Sequence, residues 1–339
     1  MSSRSLCCSI SLLGLAAMAV PMAFADDYRI SGPYTHDNLS IFLIHGAAKT
    51  AKPAGKYITL QEAMVQKKVV VYETGSVNEL AIENLGDKDI YIQSGDIVKG
   101  GRQDRVFPDD FVLQTRSGKV PINSFCVEHG RWTKRGGEAS DHFNASSQSL
   151  PNKALKLAAR STSEGQTKVW SEVEKSNRKV AESVGYAGGA PPSPSQTSMQ
   201  MALEDKHVSE KTDAYIRDLA GVVEGKTDVV GYAFAINGAL NSADVYASND
   251  MFVRMWPKLL RASAVEALTE RQESRTFTPP STSVVRSVIA KAEDGKESKK
   301  KDVADRLDEV TKESDKVVMF ETRDRKADGT WIHKSIVVK

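Results

Sequence analysis

The stretch VVVYETGSVNELAIENLGDKDIYI, residues 69–92, carries three short runs of aliphatic, β-branched and aromatic side chains separated by turn residues. Val69 to Tyr72, Leu80 to Ile82 and Ile90 to Ile92 are too short for ordinary helices, and their composition suits pleated, half-buried strands. Asn84-Leu85-Gly86-Asp87 between the second and third runs reads as a hairpin turn, because glycine tolerates the backbone angles such turns need.

The same texture extends outward from this stretch. Ile41 to Ile44, Phe111 to Leu113 and Val120 to Val127 are further candidate strands, the last two reading as an antiparallel hairpin turned at Ser117-Gly118. One short helix interrupts them: Thr59 followed by Glu62 fits a capping box, with Leu60, Ala63 and Met64 on one face up to Lys67.

After Gly136-Gly137 the apolar period becomes helical. Val169, Val173, Val180 and Val184 predict a helix over about Gln166 to Val184, and Tyr215, Ile216, Leu219, Val222 and Val223 a second, stopped by Gly225. The proline- and glycine-rich stretch 185–198 reads as a loop between them. A strand Val229 to Ile236 ends at the Asn237-Gly238 turn. A third helix buries Leu259, Leu260, Ala264 and Leu268, with Pro257 in its first turn, and a fourth covers Ser283 to Ala292. Lys296 to Lys316 reads as a solvated helix with Val303, Leu307 and Val310 as its stripe, and 317–338 as a terminal hairpin turned at Asp328-Gly329.

The fold class is therefore α+β. A β-rich N-terminal domain, residues 26–137, forms a sandwich or partial barrel, and a helix-rich α+β region, residues 138–339, packs against it.

The first 25 residues read as a signal peptide. Arg4 precedes an apolar run from Ile10 to Val20, and Ala23-Phe24-Ala25 supplies small residues for cleavage between Ala25 and Asp26, giving a periplasmic or secreted protein. No later run is apolar enough for membrane insertion, and 46 Lys and Arg against 44 Asp and Glu give nucleic acid no electrostatic purchase. Cys126 alone remains after cleavage, so a disulfide framework is not expected. The six histidines show no metal-ligand spacing, and no phosphate-binding or nucleophile-elbow pattern occurs, so neither a metal nor a cofactor is expected.

Two stretches carry unusual chemistry. GDIVKGGRQDR at Gly95 to Arg105 ends in forked donors and acceptors, Arg102, Gln103, Asp104 and Arg105, after a Gly100-Gly101 turn. CVEHGRW follows at Cys126 to Trp132, with Cys126 and Glu128 on one strand face and Val127 and His129 on the other. The two stretches are expected to meet at the open end of the hairpin, with Asp104 facing Arg131 and Glu128 facing Arg105. Such groups can grip an anionic or amide-bearing ligand, or pair with one another as a structural clasp. Cys126 reads as a small buried residue or as a thiol that would need His36, His45 or His142 beside it. Asp109-Asp110 reads as a turn rather than a cation ligand.

On these two motifs the chain resembles the uncharacterised bacterial and archaeal domain named for its association with ADP-ribosylglycohydrolases and rhodanese-phosphatases. The resemblance runs from about Tyr34 to the final hairpin and implies a shared fold without an activity. The gene association in its name implies nucleotide or ADP-ribose metabolism. The residues themselves leave two functions open. One is a small-molecule binding module with Arg102, Gln103, Asp104, Arg105 and Trp132 holding an anionic ligand. The other is a hydrolase or transferase in which Glu128 is general acid or base, Arg105 or Arg131 stabilises negative charge and Cys126 lies alongside.

Overall fold

A computed structural model describes residues 28–46, 57–161, 165–186, 197–272, 275–303 and 306–339. The segment expected to be a signal peptide and most of the loop expected at 185–198 lie outside them. The chain opens with β1 (Arg29–His36), β2 (Leu39–His45), β3 (Tyr57–Thr59), α1 (Leu60–Val65), β4 (Val69–Tyr72), β5 (Glu79–Asn84) and β6 (Asp89–Ile92). It continues through β7 (Asp96–Gly100), β8 (Arg105–Val106), β9 (Phe111–Leu113), β10 (Gly118–Asn123), β11 (Phe125–Cys126) and β12 (Phe143–Ser149). Helices α2 (Lys153–Arg160), α3 (Gly165–Ser183), α4 (Met199–Glu204) and α5 (Lys206–Leu219) follow, then β13 (Val229–Ile236), β14 (Ala239–Tyr246), α6 (Asn249–Thr269) and α7 (Thr282–Glu293). Four strands close the chain: β15 (Lys296–Val303), β16 (Leu307–Glu313), β17 (Val317–Asp324) and β18 (Thr330–Val338).

The fold is α+β, built on an eight-stranded antiparallel sheet in the order β1-β2-β13-β14-β18-β17-β16-β15. β2 and β13 are buried at every position, because helices cover both faces of the sheet. Leu39, Ile41, Leu43, Tyr232 and Phe234 face α6, packing with Phe252, Trp256 and Leu259. Phe42, Ile44, Ala233 and Ala235 face α7, packing with Val285 and Ile289. Three small sheets, β10-β5-β4, β11-β8-β7-β12 and β3-β6-β9, complete the N-terminal half, which closes no barrel. The large sheet crosses the division expected between residues 137 and 138, since β2 from the first half pairs with β13 from the second.

Several local expectations hold. The Thr59 hydroxyl accepts from the Glu62 N–H while the Glu62 carboxylate accepts from the Thr59 N–H, closing the capping box of α1. Asn237 and Gly238, both at positive φ, turn β13 into β14, a strand the sequence reading stops short of. β17 and β18 form the terminal hairpin, with Asp328 and Gly329 also at positive φ.

Four expectations are corrected. β5 and β6 belong to different sheets, so Asn84 to Asp87 is a turn without a hairpin, closed by Asn84 donating to the Lys88 carbonyl and accepting from the Gly86 N–H. β9 pairs with β6 and β10 with β5, so they form no hairpin with each other. Their burial explains it: all of β9 is buried, whereas β10 exposes four of its six residues at a sheet edge. Residues 296–316 are not a helix but the hairpin β15–β16, in which Val303 and Leu307 are register partners. β15 is an edge strand, and its exposed lysines suit a position where unpaired backbone must not recruit another chain. Pro257 lies inside α6, on the exposed side with Val253, while Ser248 caps the helix start.

A buried polar clamp ties the small sheets to the large one. The His333 ring on β18 lies between Asp110 (Nδ1 to Oδ2, 2.8 Å) and Asp244 (Nε2 to Oδ1, 3.1 Å), and Tyr91 and Thr322 donate to the same Asp110 oxygen. Burial alone would neutralise the ring, but the charge of Asp110 and the hydrogen bonds to both carboxylates outweigh it and raise its pKa to about 9. Asp110 is thus a fully buried hub rather than a turn residue, while Asp109 at the bend pairs with Lys301 at 2.5 Å.

Candidate functional site

The two chemically unusual stretches meet, by a different route from the one expected. β8 pairs with β7 on one side and β11 on the other, so Arg105 lies opposite both Val98 and Cys126. This small sheet brings the turn 100–104 directly against 127–135. Gly100 and Gly101 both take positive φ, and a Cβ on Gly101 would come within 2.4 Å of the Phe143 ring. Only glycine lets the turn close down here.

Asp104 and Glu128 sit at the bottom, both fully buried. Arg135 grips Asp104 with both terminal guanidinium nitrogens, at 2.8 and 2.9 Å, and reaches Glu138 at 3.0 Å. Burial opposes its charge, but the Asp104 hydrogen bonds and charge, together with Glu138 and Glu128, hold its pKa above the ordinary arginine value. Asp104 also accepts from the Ser198 hydroxyl at 2.7 Å and the Gly100 N–H at 3.0 Å. Arg131 donates to Glu128 from Nε at 2.8 Å and to the carbonyls of Gly101 and Gly100, and its Nη2 lies 3.7 Å from Asp104. The expected approach of Asp104 to Arg131 is therefore present.

Glu128 and Arg105 do not pair. Arg105, with no exposed surface, is 3.4 Å from Glu73 and donates to the Gln103 carbonyl at 2.7 Å. Glu128 instead takes Arg131 and, at 3.5 Å, Arg135. Gln103 is buried and contributes that carbonyl to the clasp. Glu128 Oε1 and Arg105 Nε are buried without a hydrogen-bond partner among the described residues.

Above this base lies an aromatic plate. Trp132 is 40% exposed, with the Arg102 and Arg105 guanidinium carbons 5.6 and 5.7 Å from its ring centre. Arg102 is exposed; its backbone N–H donates to Glu73, and its guanidinium makes no ion pair with a described residue.

Cys126 is buried, with Sγ 3.6 Å from the Val77 carbonyl. Its thiol is pushed up to about 11, mainly by burial, with Glu73 and Glu128 adding to this against Arg105. The histidines a catalytic thiol would need are engaged elsewhere: His36 with Asp218, His45 with Asp228 and His142 with Asp141. Among the described residues no group of three or more His, Cys, Asp or Glu side chains is arranged to hold a metal ion, and no helix is long and apolar enough to cross a membrane.

Sequence reading misses Glu73, Arg135, Glu138 and Ser198. Arg135 adjoins the Gly136-Gly137 break that marks the change of period, and Ser198 caps α4 by accepting from the Met201 N–H. Neither position signals an ion-pair role. Trp170 and Gln166 on α3 add two further supports: Trp170 donates to the Glu128 carbonyl, and the Gln166 amide pairs with both backbone polar groups of Cys126.

No curated protein and no solved structure is similar to this chain. A family model does match residues 27–337, nearly the whole length and including both motifs. The chain belongs to the ARG and Rhodanese-Phosphatase-superfamily-associated Protein domain family (ARPP-1).

Proposed function

We propose that this is an exported small-molecule binding module, acting in the periplasm or outside the cell, whose recess takes an anionic ligand. The observation that carries the reading is the exposed Arg102 guanidinium beside the half-exposed Trp132 ring, free of any carboxylate partner among the described residues. An arginine over an aromatic face is preorganised to receive a carboxylate or phosphate on its fork and an apolar or planar body against the ring. Asp104, Glu128, Arg131 and Arg135 act as the base that holds this plate in position. Glu128 has no exposed surface and its Oε2 is occupied by Arg131, which weighs against direct proton transfer to a substrate.

Mass spectrometry of small molecules released from the natively purified protein tests the reading. An anionic compound should accompany the wild type and be lost from both Arg102→Ala and Trp132→Ala. Retention by both variants would overturn it. Export is tested separately by sequencing the N-terminus of the protein recovered outside the cytoplasm, where Asp26 should come first.

A further inference from the structure

A concavity elsewhere in the fold shares no residue with the Arg102 and Trp132 site. It is a cleft of about 700 Å³ between the N-terminus of α2, α3, the β13–β14 turn and the C-terminal end of α6. Its lining includes Glu266, a carboxylate only 5% exposed. Glu266 Oε1 accepts from the Asn241 amide at 3.0 Å and the Lys153 N–H at 3.3 Å, while Oε2 makes no hydrogen bond to a described residue. Burial raises its pKa, outweighing the Asn241 hydrogen bond and the charges of Lys156 and Lys153.

The other charges sort themselves. Lys175 pairs with Glu172 at 2.8 Å and Lys179 pairs with Glu270, which neutralises both couples. Among the described residues two cations are left on neutral acceptors only: Lys153 donates to the Val338 carbonyl and Arg275 to the Gln272 side-chain oxygen. Ile236, Leu240 and Phe277 supply an apolar wall. The cleft thus offers one carboxylate oxygen of a largely buried side chain, two cations that pair with no described carboxylate, and a hydrophobic flank.

We propose that this cleft binds a small zwitterion of the amino-acid type with an apolar side chain. Its ammonium meets Glu266 Oε2, its carboxylate lies toward Lys153 and Arg275, and its side chain rests against Leu240 and Phe277. An ammonium donor compensates a buried carboxylate that a hydroxyl would serve less well, because charge-assisted hydrogen bonds strengthen where water is excluded. A simple amine would leave the two cations without a partner, and a simple carboxylic acid would be repelled by Glu266.

The test is calorimetric titration of the full mature chain with leucine, phenylalanine and methionine. At least one should bind. Using leucine as the example, N-acetyl-leucine, which lacks the ammonium, should bind about tenfold or more weakly, and Glu266→Gln should weaken leucine by a similar factor. Glu266→Gln should fold at least as well as wild type, since the glutamine oxygen can accept both existing hydrogen bonds without a buried charge. Arg275→Ala should weaken leucine while leaving leucine amide unchanged, and Arg102→Ala should alter neither, which separates this site from the recess. Failure of all three amino acids to bind, undiminished binding of N-acetyl-leucine, or unchanged affinity in Glu266→Gln overturns the proposal.

Discussion

Single residues at the recess divide by burial, and their expected behaviour divides with them. Asp104 has no exposed surface and depends on the two-nitrogen grip of Arg135, so Arg135→Ala strands a carboxylate with only Ser198, the Gly100 N–H and a more distant Arg131 around it. Urea unfolding should show a loss of about 3–5 kcal/mol, the usual consequence of breaking a buried pair on one side. Arg102→Ala should change stability by no more than about 0.5 kcal/mol, as exposed substitutions do, while ligand retention is lost. His333 gives a pH signature. Its folded pKa, raised to about 9, lies above the ordinary histidine value, so its contribution is complete below about pH 6.5 and disappears as pH rises through 9. The shift corresponds to something on the order of 3 kcal/mol, shared with the Asp110 partnership rather than added to it. From the acid side, burial raises the Asp110 carboxyl but the charge and hydrogen bond of His333, with Arg160, outweigh it and hold it below the usual range, so that part persists until strongly acidic pH. Denaturant unfolding of wild type and His333→Gln between pH 5 and 10 should give a difference that shrinks between about pH 6.5 and 9 and is small above that. A constant difference would falsify a charged His333.

At the scale of elements, β13 is the part least tolerant of change. A Cβ on Gly231 would lie 2.4 Å from the Asp244 carbonyl oxygen and 2.9 Å from the Val245 Cα on β14. All of these close atoms are β14 backbone, so nothing flexible can yield. Gly231→Ala should therefore cost about 1–3 kcal/mol or more, read as a lowered urea midpoint with the slope unchanged. Because Asp244 also holds His333, the same change should weaken the clamp and reduce the pH dependence described above. Elements with strong local signals are legible without partners: the capping box of α1 and the valine stripe of α3 depend on neighbours three and four residues away. The charged segment 296–316 is not. Lys299, Lys300 and Lys301 suit an exposed helix or an edge strand equally, and only pairing with β16 decides between them.

For the whole molecule, the large sheet is the integrating feature. β2 has β1 on one side and β13 on the other, and the cluster around Leu39, Ile41 and Leu43 is completed by Phe252, Trp256 and Leu259. A fragment of residues 26–137 would expose the apolar faces that these residues cover. It should show no cooperative thermal transition on its own, whereas residues 26–339 should unfold in one; a sharp transition in the fragment would mean that the first half is an independent domain.

What the sequence alone determined is local or compositional. The α+β class, most helices, the terminal hairpin and the two polar stretches follow from periodicity, turn chemistry and residue type over windows of a few residues. The association of the two stretches was also legible, including the approach of Asp104 to Arg131, although the hairpin invoked to bring them together does not exist. The tertiary structure decided strand pairing, which carboxylate meets which arginine, and the cleft at Glu266. Glu73, Arg135 and Ser198 stand 31, 31 and 94 residues from Asp104 in sequence, and local propensity carries no information over such separations. Strand partners are chosen by burial of whole faces and ion pairs by the desolvation that burial imposes, and both exist only once the chain has closed on itself.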